Sequence, residues 1–213
     1  MSRLWKRYKP AEYYSASDFE KFQWACGIPS KFWNASKSSI HFASAKFEHK
    51  GAINQIPKQT QRKYYEERFN NPEMLLENRF SCFTSFPTDD HAMAAACVLA
   101  NKLASYIWTS DDLSDAKGIL IRVIDIQEYE KCMKYDKEFY STAPDMLILY
   151  NLNDNTSRER LSMVVDLLRQ FEGKYRAVIA ASESPLEFAR KRLYYEPQEV
   201  YHFEGDARRV MTR

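Results

Sequence analysis

The residues Ser85-Phe86-Pro87-Thr88-Asp89-Asp90-His91-Ala92 stand between a strand-like run at 80–84 and an alanine-rich, helix-favouring stretch at 93–107. A loop that ends a strand and opens a helix can hold phosphate on backbone N–H groups and the helix N-terminus. That chemistry needs glycines so that the backbone can curl around the anion. It also needs a lysine for the outer phosphates and a hydroxyl for the magnesium ion. Set against the spacing Gly-x-x-x-x-Gly-Lys-Ser/Thr, this chain places Ser85 at the first glycine, Asp90 at the second, His91 at the lysine and Ala92 at the hydroxyl. None of the five glycines (Gly27, Gly51, Gly118, Gly173, Gly205) falls in the loop. Asp89 and Asp90 suit the free N–H groups and positive end of a helix. They also repel a triphosphate: two like charges about 4 Å apart cost roughly 4 kcal/mol at an intermediate dielectric.

A second run, Leu147-Ile148-Leu149-Tyr150-Asn151-Leu152, has the form of an apolar strand. In many ATPases such a strand ends in two acids that hold Mg²⁺ and orient water. Tyr150 and Asn151 occupy the matching positions and neither is a carboxylate, while Asp154 lies three residues beyond Asn151. A third segment, Ala181-Ser182-Glu183-Ser184-Pro185, is followed by the basic cluster Arg190-Lys191-Arg192 and, further on, by Gly205-Asp206-Ala207-Arg208-Arg209. His41, His49, His91 and His202 have no spacing suited to a metal or a triad, and no Ser or Cys sits in a nucleophile motif. Cys26, Cys82, Cys97 and Cys132 show no paired spacing, so they read as reduced, packed thiols and not as zinc ligands. No metal and no cofactor is expected.

The elements that must carry these residues alternate. Strands are expected at 80–84, 119–124, 146–150, 177–181 and 199–203, with helices at 91–108, 126–141, 157–171 and 185–193. Near-continuous apolar strands covered on both faces, separated by helices, imply a parallel α/β sheet. The helix after Ser157 is the best specified. Thr156-Ser157-Arg158-Glu159 reads as a capping box, Leu161, Val164, Val165 and Leu168 follow at helical spacing, and Gly173 stands beyond the end. Residues 27–58 look mostly irregular, and 59–78 look helical with a turn at Asn70-Asn71-Pro72. The net charge is +2, so any nucleic-acid surface must be local. With no signal peptide and no apolar run of about 18 residues, a soluble, cytoplasmic protein without membrane contact is expected.

Taken in order, these segments resemble the DnaC/IstB-like branch of AAA+ proteins, the replicative-helicase loaders and transposition ATPases. Gly27-Ile28-Pro29-Ser30-Lys31-Phe32, with Asn34-Ala35 and Phe42, is similar to the segment before that family's ATPase core. Ser85 to Ala96 corresponds to its Walker A loop and following helix, Met146 to Leu152 to its Walker B strand, Ala181 to Pro185 to its sensor segment, and Phe203 to Arg209 to its closing stretch. The resemblance covers about residues 27–209. It implies a three-layer, P-loop NTPase-like (AAA+) α/β fold: a parallel sheet of about five strands, helices on both faces and little or no C-terminal helical lid. It departs from the family at Walker A (Ser85, Asp90, His91, Ala92), at Walker B (Tyr150, Asn151) and at the sensor position (Glu183). Three losses of ATP chemistry together point to a pseudo-ATPase.

What the resemblance then implies is a non-hydrolysing adaptor that loads or regulates a replicative DNA helicase of the DnaB type, encoded by a phage or another mobile element. A different class is an inactive AAA+ subunit or regulator in a transposition or polymerase/clamp-loader assembly. The division expected is an aromatic, basic arm at 1–24 and a degenerate AAA+-like domain at 25–213. In the arm, Trp5, Arg7, Tyr8, Tyr13, Tyr14 and Phe19 either anchor a partner or fold back onto the chain's own core. Arg190, Lys191, Arg192, Arg208 and Arg209 are candidate contacts to single-stranded DNA, by phosphate pairing, or else ordinary solvated charge.

Overall fold

Ser17 starts the first helix by a reciprocal cap. Its Oγ accepts the Glu20 N–H at 3.3 Å while its own N–H donates to the Glu20 carboxylate at 2.7 Å. The helix (α1, Asp18–Cys26) stops at Gly27, whose φ of 100° sends the chain out of the helix while its N–H still reaches the Gln23 and Trp24 carbonyls. The computed structural model describes residues 11–35, 81–109, 121–129, 145–172, 175–196 and 199–202. The expected helix at 59–78, most of the one at 126–141 and the stretch after 202 lie outside these residues.

Five strands form one sheet: β1 (Ser81–Ser85), β2 (Ile121–Asp125), β3 (Met146–Asn153), β4 (Tyr175–Ala181) and β5 (Glu199–His202). Every pairing is parallel, and the order across the sheet is β2-β3-β4-β1-β5. Among the described residues the other α-helices are α2 (Asp89–Thr109), α3 (Arg158–Gln170) and a short α4 (Pro185–Glu187) that runs on as a π-turn over Phe188–Arg192. The expected parallel α/β sheet of five strands with helices on both faces is therefore found.

Two cores result. On one face α1 and α2 pack over Ile121, Val123, Met146, Ile148, Ala177 and Ile179. Alanines at 92, 94–96, 100 and 104 line the buried side of α2, so its backbone approaches the sheet closely without losing helix propensity. On the other face Leu161, Val164, Leu167 and Leu168 of α3 join Leu147, Leu149, Val178, Phe83 and Phe188. Alternation along β3 breaks between Leu149 and Leu152, where the register with β4 shifts. Asn151 takes a positive φ of 64° there, and the extra residue returns Leu152 to the side of Leu147 and Leu149.

The bulge corrects the sequence reading of this strand. It does not end at Tyr150 but continues to Asn153, so Tyr150 is a buried core residue and Asn151 sits inside the strand. The position 24/25 falls within α1. Tyr13, Phe19 and Phe22 pack against the core; Tyr13 meets Trp24 edge-on at 4.9 Å, and Phe19 and Phe22 lie 5.8 and 5.4 Å from Trp108. Gln23 and Asn101 pin this segment to α2. The Gln23 amide donates to the Trp33 carbonyl and to Asn101 Oδ1, and Asn101 Nδ2 donates to the Phe32 and Ala35 carbonyls.

Candidate functional site

In an open parallel α/β sheet, ligands bind outside the carboxyl ends of the strands. Here the segments after β1, β3 and β4 meet at that edge. Ser85 is the last residue of β1 and is 0% exposed. Its Oγ donates to the Ser182 carbonyl at 2.5 Å and accepts the Ser182 N–H at 2.9 Å. A side chain thereby adds one more rung to the β1–β4 ladder, which already includes the Phe86 N–H on the Ala180 carbonyl at 2.8 Å. A glycine at this position has no atom to make that rung.

Thr88, not an aspartate, caps α2. Its Oγ1 accepts the His91 N–H at 3.3 Å and its carbonyl accepts the Ala92 N–H at 3.0 Å. Thr88 Oγ1 also lies 2.7 Å from His91 Nδ1. The hydroxyl oxygen has two lone pairs and one proton, so the direction of this bond follows the imidazole tautomer. His91 is 5% exposed, and burial pushes its pKa below the ordinary value of 6.5 against the pull of Asp90. The residue at the phosphate-binding lysine position is thus an inward-turned ring held neutral at pH 7. Ala92 is buried in the core, and Asp90 is exposed at the helix start.

Asp89 accepts from Asn153 Nδ2 at 2.8 Å, which ties the start of α2 to the end of β3. Asn153 also organises its own turn: its N–H donates to Thr156 Oγ1 at 2.9 Å and its Oδ1 accepts the Asn155 N–H at 3.0 Å. Asp154 then joins three segments. Its Oδ1 accepts from Ser182 Oγ at 2.8 Å and its Oδ2 from the Glu183 N–H at 3.1 Å, while its carbonyl accepts Arg192 Nη1 at 2.6 Å. Arg192 also donates to the Thr156 carbonyl at 2.8 Å and stacks on Phe188. The acid at this edge is therefore already used by hydrogen bonds within the chain.

Of the expected site residues, Ser85 meets Ser182 and the Glu183 N–H meets Asp154 at this edge, while His91 bonds to Thr88 at the start of α2. Tyr150 and Asn151 are not part of these contacts. Asn151 donates to Asp125 Oδ1 at 3.0 Å, and Asp125, raised by burial, is eased back by this bond and by the Gln127 N–H. The Glu183 side chain is exposed. Of the basic cluster, Arg190 pairs with Glu196 at 3.2 Å and Lys191 with Glu187 at 2.7 Å, leaving Arg192 as the member that serves the edge. Tyr14 is 76% exposed, whereas Tyr13 and Phe19 are packed on the chain itself. Trp5, Arg7, Tyr8, Arg208 and Arg209 lie outside the described residues. Sequence reading missed Thr88, Asn153 and Ser182. The Asn153-Asp154-Asn155-Thr156 run carried the turn signal that could have located the edge. Among the described residues no group of His, Cys, Asp and Glu is arranged to hold a metal ion, and no helix is long and apolar enough to cross a membrane.

No family model matches this chain, and no curated protein matches it. Among solved structures, one described as the crystal structure of DnaI is similar over 85% of this chain and 94% of that one, at 13% identity and a TM-score of 0.46.

Proposed function

We propose that this protein is a non-hydrolysing adaptor that binds a DnaB-type replicative helicase and loads or regulates it. The observation that carries the first half is the state of the carboxyl edge. Where a phosphate loop would leave free backbone N–H groups and a lysine, the chain has Ser85 bonded to Ser182, Asp89 bonded to Asn153 and a neutral, buried His91. Two further carboxylates, Asp90 and Asp154, flank that position and oppose a polyanion. The helicase as partner rests on the ordered sequence resemblance to helicase loaders, and the parallel sheet is consistent with it.

A chain without nucleotide chemistry acts by contact, and its exposed aromatics are the natural anchors. Tyr14 is one of them; Trp5, Arg7 and Tyr8 precede it in sequence. Size-exclusion chromatography with light scattering, on the full-length protein mixed with a DnaB-type hexamer from the same host, tests the reading. Co-elution that persists without nucleotide supports it. Separate elution of the two proteins at concentrations of about 10 µM, well above a micromolar Kd, would contradict it.

A further inference from the structure

A groove of ≈ 620 Å³ runs between α3 and the π-turn, on the side of the molecule away from α1 and α2. Cations border it on both sides: Arg158 and Arg169 from α3, Lys191 and Arg192 from the π-turn. Among the described residues neither Arg158 nor Arg169 is in an ion pair. The Lys191–Glu187 pair is exposed at both ends and exchanges readily with an incoming carboxylate. Between the cations lie the remaining open faces of Leu161 and Val165.

Tyr194 completes the wall and is unusual in two ways. It is 75% exposed, and it holds a φ of 48°, a left-handed conformation that a bulky side chain rarely takes. The position follows the π-turn, where the Leu193 and Tyr195 N–H groups close back onto the Phe188 and Ala189 carbonyls. Glycine fits such a cap without strain. A tyrosine there presents its ring to the groove and gains no burial in return.

We propose that this groove docks an acidic, amphipathic segment of a partner protein. One apolar side chain lies on Leu161, Val165 and Tyr194, and carboxylates to either side meet the arginines. Arg158 and Arg169 are eleven residues apart on α3. That is about 16 Å of helix, the length of about five extended residues. Two features favour a peptide over a nucleic-acid strand. Asp166 stands among the cations, facing any unbroken run of phosphates. The apolar floor has no counterpart in a phosphodiester backbone. The inference is independent of the helicase reading, since its test involves neither helicase nor nucleotide.

The test is fluorescence anisotropy on the full-length protein in moderate salt. The probes are a labelled peptide with a central leucine flanked on each side by two aspartates, the same peptide with serine for leucine, and a labelled oligo-dT. The leucine peptide is expected to bind saturably, and the serine peptide about tenfold more weakly, as loss of a half-buried leucine implies. Arg158→Gln combined with Arg169→Gln weakens the leucine peptide roughly fivefold, by two exposed pairs. Tyr194→Gly weakens it while leaving Tm unchanged or higher, because glycine relieves the left-handed backbone. The proposal is overturned by absent binding at about 1 mM peptide, by equal affinity for the two peptides or by indifference to Tyr194→Gly. It is equally overturned if oligo-dT is the tighter ligand and is lost in the same arginine variants.

Discussion

At the scale of single residues, Ser85 and His91 are both held by hydrogen bonds within the chain. Ser85 satisfies both backbone groups of Ser182 at once. Ser85→Ala leaves a buried N–H and C=O without partners, and the expected loss is about 1–3 kcal/mol, read as a lower urea midpoint at unchanged slope. His91 gives a pH signature. Its folded-state pKa is depressed, so below its unfolded value near 6.5 the unfolded chain binds the additional proton first. The stabilisation is fully present above about pH 6.5 and is lost as the pH falls from there through the folded-state value. Urea midpoints measured across that range should fall on acidification, and His91→Asn should make the decline shallower. A His91→Asn profile as steep as that of the parent protein would show that the ring is not held neutral.

At the scale of elements, the helices were the legible part and the end of β3 was not. Apolar residues at helical spacing mark α3 because periodicity is a local property, but its cap is Ser157 accepting the Arg160 N–H and not the expected box from Thr156 to Glu159. Leu168, fully packed in the second core, should cost about 2–5 kcal/mol as Leu168→Ala in the same denaturation assay. The bulge in β3 carries no local mark beyond Asn151, a residue type that tolerates a left-handed conformation. Reading the strand as ending at Tyr150 therefore put the edge three residues too early. The N-terminal aromatics were visible as aromatics, but their direction was decided by Gln23 and Asn101, which are 78 residues apart in sequence. Asn101→Ala removes the donor to Phe32 and Ala35 and the acceptor for Gln23. It should cost about 1–3 kcal/mol and lower the hydrogen-exchange protection of α1 more than that of α3.

At the scale of the whole molecule, strand order gathers the ends of β1, β3 and β4 side by side, so three loops distant in sequence share one edge. Alternating strands and helices made the parallel sheet readable. The hydrogen bonds that close its edge depend on side chains from all three loops and could not be read from any one of them. With Asp154 holding Ser182, Glu183 and Arg192 in place, the edge is a structural joint. The central claim is that it does not take nucleotide, and isothermal titration of the full-length protein with Mg·ATP tests this most directly. The account predicts no saturable heat up to about 1 mM, the upper end of ordinary enzyme affinities. A one-to-one, magnesium-dependent isotherm in that range would contradict it.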